Sequence, residues 1–101
     1  MEDGKTEKRR GVKQIRLIIA GDVQGVGFRA WVLTIAKELQ LVGWVKNRED
    51  GTVEVVAQGQ NDALEPFIRK CRRGPPLAVV KNVTTQWQQS PEAFLSFQVI
   101  Y

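Results

Sequence analysis

The chain predicts a single α+β domain in which two helices cover one face of an antiparallel sheet. Three observations carry this. Runs rich in β-branched residues alternate with helical apolar stripes, and their order is strand, helix, strand, strand, helix, strand, with one further strand at the end. An Asp50-Gly51 pair sits between the two central strands, where glycine supplies the positive φ of a tight hairpin. A length of 101 residues fits one two-layer core and leaves no room for a second domain.

The first strand is Gln-Ile-Arg-Leu-Ile-Ile-Ala, residues 14–20, mostly apolar and β-branched. A glycine-rich loop follows from Gly21. Phe28, Trp31, Val32, Ile35, Ala36 and Leu39 then recur at helical spacing, so a helix runs from there to about Gln40. Residues 42–48 and 52–58 form two strands around the Glu49-Asp50-Gly51 turn. Leu64, Phe67, Ile68 and Cys71 give the second helix its face; Asn61 or Asp62 is expected to cap it, and Gly74-Pro75-Pro76 ends it. Residues 78–88 and the alternating 95–101 are the last strands. Each strand-helix-strand half closes by the right-handed crossover, which is expected to return the strand over 42–48 beside the first. The product is the split β-α-β, or ferredoxin-like, sandwich. Residues 14–101 form this domain and residues 1–13 are expected to be a flexible basic tail.

Absences narrow the chemistry. The chain has no histidine and one cysteine, Cys71, which excludes the common zinc sites and any Ser-His-Asp or Cys-His nucleophile. A lone cysteine forms no internal disulfide and suits a reducing cytoplasm. Met1 to Lys5 begin no apolar signal segment, and no run approaches the roughly 20 apolar residues of a membrane span. The formal charge is +4, but half of it lies in the tail, where Lys5, Lys8, Arg9, Arg10 and Lys13 outweigh Glu2, Asp3 and Glu7. The body is only mildly basic, so nucleic acid is not an expected partner.

The loop Gly21-Asp22-Val23-Gln24-Gly25-Val26-Gly27-Phe28-Arg29 carries most of the functional information. Taken alone it reads equally well as a strand-to-helix turn or as an anion cradle. Glycines let backbone N–H groups converge, and the helix start adds unpaired N–H groups and the positive end of a dipole. Arg29 lies off the apolar stripe, free to fold over the loop with a planar fork matched to phosphate oxygens. Asn47 lies near the end of the following strand. It is either a turn former or, beside a cradle, an amide that orients a water.

This nine-residue run resembles the acylphosphatase signature Gly-x-Val-Gln-Gly-Val-x-Phe-Arg. Gly43-Trp44-Val45-Lys46-Asn47-Arg48-Glu49-Asp50-Gly51-Thr52-Val53-Glu54 is similar to that family's second signature, Gly-x-Val-x-Asn-x-x-Asp-Gly-x-Val-Glu. The Gly74-Pro75-Pro76 stop and the aromatic Tyr101 fit as well, and the resemblance spans residues 14–101. It implies hydrolysis of the carboxyl–phosphate bond of small acyl phosphates, without metal, cofactor or covalent intermediate, releasing inorganic phosphate. The backbone of Gln24, Gly25, Val26, Gly27 and Phe28 would then bind phosphate oxygens, Arg29 would clamp them and Asn47 would hold the attacking water. A carboxylate leaving group, from an acid of pKa about 4, departs with little need of a general acid. Asp22 falls at an open position of the signature and is expected to point into solvent.

Two other readings compete. Gly27-Phe28 and Val32, with the basic charge, resemble the glycine-aromatic run of RNA-recognition motifs, which share this fold. Those aromatics stand on a strand, whereas Phe28 opens a helical stripe. Acylphosphatase-like domains also begin carbamoyl-phosphate-using maturation proteins. Those are longer chains, so a free-standing, monomeric, cytoplasmic enzyme is expected. Arg69, Lys70, Arg72 and Arg73 suit the end of a helix dipole. Cys71 and Trp31 read as core, Trp44 and Trp87 as packed or half-buried strand residues. Gln24 either touches the site or holds the loop.

Overall fold

A computed structural model of the protein describes residues 11–89 and 93–101. The elements are β1 (Lys13–Asp22), α1 (Phe28–Glu38), β2 (Val42–Asn47), β3 (Val53–Gly59), α2 (Asn61–Arg73), β4 (Val79–Gln88) and β5 (Phe97–Ile100). Residues 1–10 of the expected tail lie outside the described residues, and Lys13 already pairs with Gly59 inside the sheet.

Both helices pack on a five-stranded sheet of order β4-β1-β3-β2-β5. Two expectations are corrected. β2 does not return beside β1, because β3 lies between them and pairs antiparallel with both. The hairpin brings β3 directly alongside β2, and β3's other edge then takes β1. The sheet is also mixed rather than antiparallel, since β5 runs parallel to β2. β4 and β5 are the two edge strands, so a chain leaving β4 and crossing to the far edge enters reversed, in the direction of β2.

Alternation along the strands divides the sheet. Ile15, Leu17, Ile19, Val45, Val53, Val55 and Ala57 are fully buried against Phe28, Val32 and Ala36 of α1 and Leu64, Phe67 and Cys71 of α2. The opposite face carries polar rows. Arg16 Nε donates to Glu54 Oε2 at 2.6 Å, and Lys46 Nζ lies 3.8 Å from Glu54 Oε1. Gln58 Nε2 donates to Gln14 Oε1 at 2.8 Å and its own oxygen accepts the Phe94 N–H at 3.2 Å. Glu54 and Gln58 are the polar residues buried in the described domain, and both are paired, as burial requires. Trp31 lies at the margin of the core, half-buried and edge-on to Phe28 at 5.5 Å. Trp44 is half-buried as expected, but Trp87 is exposed, because β4 is an edge strand; Lys13 Nζ lies over its ring, 5.8 Å from the centroid.

Local details depart at the element ends. β1 continues to Asp22 through a register shift at Ala20/Gly21, so Gly21 and Asp22 pair with Val80 and Val79 and do not belong to the loop. Gly21 has φ +137, and a Cβ there would sit 2.1 Å from Val79 O. That glycine serves β4's close approach rather than any ligand. The cap of α2 is Gln60, without a side-chain cap bond, and Asn61 and Asp62 are already helical. Asp62 still complements the dipole from the first turn.

Candidate active site

A loop of five residues, 23–27, joins β1 to α1. Val23, 1% exposed, pins it to the core, while Gly25 and Gly27 adopt left-handed φ of +76 and +78. A Cβ at either glycine would meet nothing within 4 Å, so the requirement is conformational and not steric. Gly27 is the N-cap of α1 and provides no side-chain cap, and no acidic residue occupies the first turn. The first helical bond runs from the Trp31 N–H to Gly27 O at 3.0 Å. The N–H groups of Phe28, Arg29 and Ala30 therefore have no acceptor within the helix and project from its positive end.

Those groups open onto a cavity of about 150 Å³. The loop contributes Val23, Gly25 and Gly27 to its wall, and the first turn of α1 contributes Phe28, Arg29 and Ala30. Two residues arrive from elsewhere, Asn47 at the end of β2 and Tyr101 after β5. Gly25, Gly27, Phe28, Arg29 and Asn47 are thus brought together as the sequence suggests. Gln24 and Val26 are not part of the wall. Val26 packs against the core. Gln24 Nε2 donates to the backbone carbonyls of Arg48 at 2.8 Å and Thr52 at 2.9 Å, fastening the loop to the β2–β3 hairpin.

Arg29 is half-buried and forms no ion pair among the described residues. Its guanidinium carbon lies 4.6 Å from the centroid of the Tyr101 ring. Asn47 Oδ1 is buried and accepts no hydrogen bond among the described residues. An orphaned buried acceptor costs about 1–3 kcal/mol, and a site retains one when a ligand or water completes it. Arg29, the first turn of α1 and Asn47 thus surround the same small space.

The hairpin that carries Asn47 is itself rigid. Asp50 Oδ1 accepts from Thr52 Oγ1 at 2.6 Å and from the Thr52 N–H at 3.0 Å. Those bonds, with Arg48 Nη2 at 3.6 Å from Oδ2, hold the Asp50 carboxyl below its ordinary range. Lys46 and Arg48 are therefore both partnered, by Glu54 and Asp50. Asp22 is exposed at the end of β1.

Tyr101 had no assigned role in the sequence. Its placement follows from register: Ile100 pairs with Lys46 in the parallel β5–β2 ladder, so the next residue on each strand reaches the cavity. Cys71 is fully buried and burial pushes its thiol up, so it is not a nucleophile. Phe28 is 2% exposed beneath α1, which removes the open-face aromatic on which the RNA-recognition reading depended. Among the described residues no group of three or more His, Cys, Asp or Glu is placed to hold a metal ion, and no helix is long and apolar enough to cross a membrane.

Comparison with known proteins bears on the family and the fold. The family model described as Acylphosphatase matches residues 15–99. An acylphosphatase of Acidiphilium cryptum is 51% identical over 75 residues, covering 74% of this chain and 82% of the relative. The solved structure of an acylphosphatase from Coxiella burnetii superposes with a TM-score of 0.88 at 40% identity, over 94% of this chain and 99% of that one. A crystal structure of full-length HypF in a phosphate- and nucleotide-bound form matches at TM-score 0.79 and 27% identity, over 89% of this chain but 12% of that one.

Proposed function

The chain belongs to the acylphosphatase family and is an acyl phosphate hydrolase; from that premise we propose that the reaction runs in the 150 Å³ cavity, with Arg29 and Asn47 as its catalytic side chains. The phosphoryl group of a small acyl phosphate sits against the 24–28 loop backbone and the N-terminus of α1. Its oxygens take the unspent N–H groups, and Arg29 clamps them with its planar fork.

Asn47 Oδ1 accepts one O–H of a water and orients its oxygen toward phosphorus, in line with the bond to the acyl oxygen. The water oxygen bonds to phosphorus as that P–O bond breaks, and its electron pair leaves on the carboxylate. The water's surplus proton passes to phosphate or solvent. Since the leaving group is the anion of a carboxylic acid, no general acid is required. The remaining work is positioning and stabilisation of spread phosphoryl charge, which N–H groups and arginine perform without metal or cofactor.

The observation that carries this reading is that Asn47, whose buried Oδ1 has no hydrogen-bond partner among the described residues, lines the same cavity as Arg29, which has no ion-pair partner among them. Release of phosphate from acetyl phosphate or benzoyl phosphate in excess chelator tests it. Sustained turnover is expected; no turnover, or turnover abolished by chelator, refutes it. We also propose that the protein is a cytoplasmic monomer; its single cysteine, free and buried, suits a reducing compartment, and sedimentation at working concentration tests the monomer.

A further inference from the structure

Gln24 lies in the loop that makes the cradle, yet it does not line the cavity. A primary amide has two N–H donors and one nitrogen. Here that nitrogen serves the carbonyls of Arg48 and Thr52, at 2.8 and 2.9 Å. These two carbonyls form the mouth of the β2–β3 hairpin. Each already accepts a bond within the turn: Arg48 N–H to Thr52 O at 2.9 Å, and Gly51 N–H to Arg48 O at 3.2 Å. Gln24 takes the second lone pair of each. The adjoining rung of the ladder is Asn47↔Val53. One exposed side chain therefore ties the phosphate-binding segment to the backbone one residue from Asn47.

Building on the mechanism above, we propose that Gln24 is a positioning residue for Asn47, acting through the hairpin mouth and not through the phosphate. The phosphate site is built within one continuous segment, the 23–27 loop and the start of α1, where buried Val23 and left-handed Gly25 and Gly27 set the backbone path. The water site is on β2, a separate segment. In-line attack depends on the offset between the two, and a misplacement of about 1 Å is enough to cost about 10²-fold in rate. Side-chain amide bonds across this gap fix that offset.

The test compares wild type with Gln24→Ala and Gln24→Met, the second keeping most of the side chain's length while removing both donors. Gln24 is exposed, so neither change opens the core. With acetyl phosphate as substrate, both variants are expected to lose about 10- to 100-fold in kcat, with KM and competitive inhibition by inorganic phosphate within about threefold of wild type. Gln24→Glu places an acceptor-only carboxylate against two carbonyls and is expected to fall at least as far. The discriminating readout is the double variant Gln24→Ala/Asn47→Ala. If Gln24 works through Asn47, the pair is no slower than Asn47→Ala alone. Weakened phosphate inhibition, multiplicative losses in the double variant, or wild-type kcat in Gln24→Met would each overturn the proposal. Failure of the underlying mechanism registers separately, as an Asn47→Ala variant whose kcat matches wild type.

Discussion

Replacing Arg29 by alanine is the most demanding perturbation of the site, because the structure separates its cost to folding from its cost to catalysis. Among the described residues the guanidinium has no carboxylate partner, and its visible contact is the Tyr101 ring at 4.6 Å. A half-exposed contact of that kind contributes about 0.5–1 kcal/mol. At about 4–8 °C per kcal/mol for a domain of this size, the melting temperature should therefore fall by about 2–8 °C. The catalytic loss is larger. A fork donating two charge-assisted hydrogen bonds to phosphoryl oxygens contributes about 1.5–3 kcal/mol per bond, so about 3–6 kcal/mol of transition-state stabilisation is removed. At about 1.4 kcal/mol per decade, kcat/KM should drop by roughly 10² to 10⁴.

Hydrolysis of benzoyl phosphate in excess chelator reads this directly, and inorganic phosphate as a competitive inhibitor isolates the ground-state share. Both turnover and phosphate affinity should fall in Arg29→Ala. Arg29→Lys restores the charge but not the planar fork, and should recover only part of the loss. A folded Arg29→Ala protein within tenfold of wild-type kcat/KM would refute the clamp and with it the placement of phosphate at the start of α1.

Asn47→Ala should lower kcat by about 10²-fold while phosphate inhibition stays within about threefold, and its melting temperature should not fall, because the deleted Oδ1 has no hydrogen-bond partner among the described residues. Lost phosphate affinity at unchanged turnover would mean that Asn47 binds the anion and not the water. Gly43→Ala and Gly25→Ala should separate two uses of glycine. A Cβ on Gly43 would lie 2.0 Å from Val56 O at φ +141, whereas Gly25 at φ +76 has open space. Thermal unfolding should show a loss above about 3 kcal/mol for the first and about 1–2 kcal/mol for the second; equal losses would contradict the close β2–β3 approach. Asp50 has its carboxyl held below the ordinary range by Thr52 and then Arg48, so its contribution to stability is present above that range and lost as pH falls through the lowered value. The melting difference between wild type and Asp50→Asn should be level above about pH 5 and shrink below about pH 4; a difference unchanged down to pH 2 would contradict it.

What the sequence makes legible here is whatever lies within one segment. The stripe Phe28, Trp31, Val32, Ile35, Ala36, Leu39 reports burial through its own period, with Phe28, Val32, Ile35 and Ala36 buried and Trp31 and Leu39 half-buried at its margin. The apolar run 14–20, by contrast, is buried only at Ile15, Leu17 and Ile19. Arg29 is legible for the same reason, since it stands one residue off that stripe at a helix start. Contributions from other segments are not, because strand order and register depend on which edges remain open after hairpins form. β3's insertion between β1 and β2 and the parallel entry of β5 follow from that competition, not from any local pattern. Tyr101 accordingly reaches Arg29 only through the Lys46↔Ile100 pairing of β2 and β5. Gln24 shows the same limit in a single side chain: its motif position suggests the ligand, but its donors turn to a hairpin reached only through the fold. Gly21 errs the other way, counted with the cradle by adjacency and claimed in fact by β4. The site is therefore a local anion cradle whose water-holding side is set by topology, and the Gln24 amide is where those two kinds of information are joined.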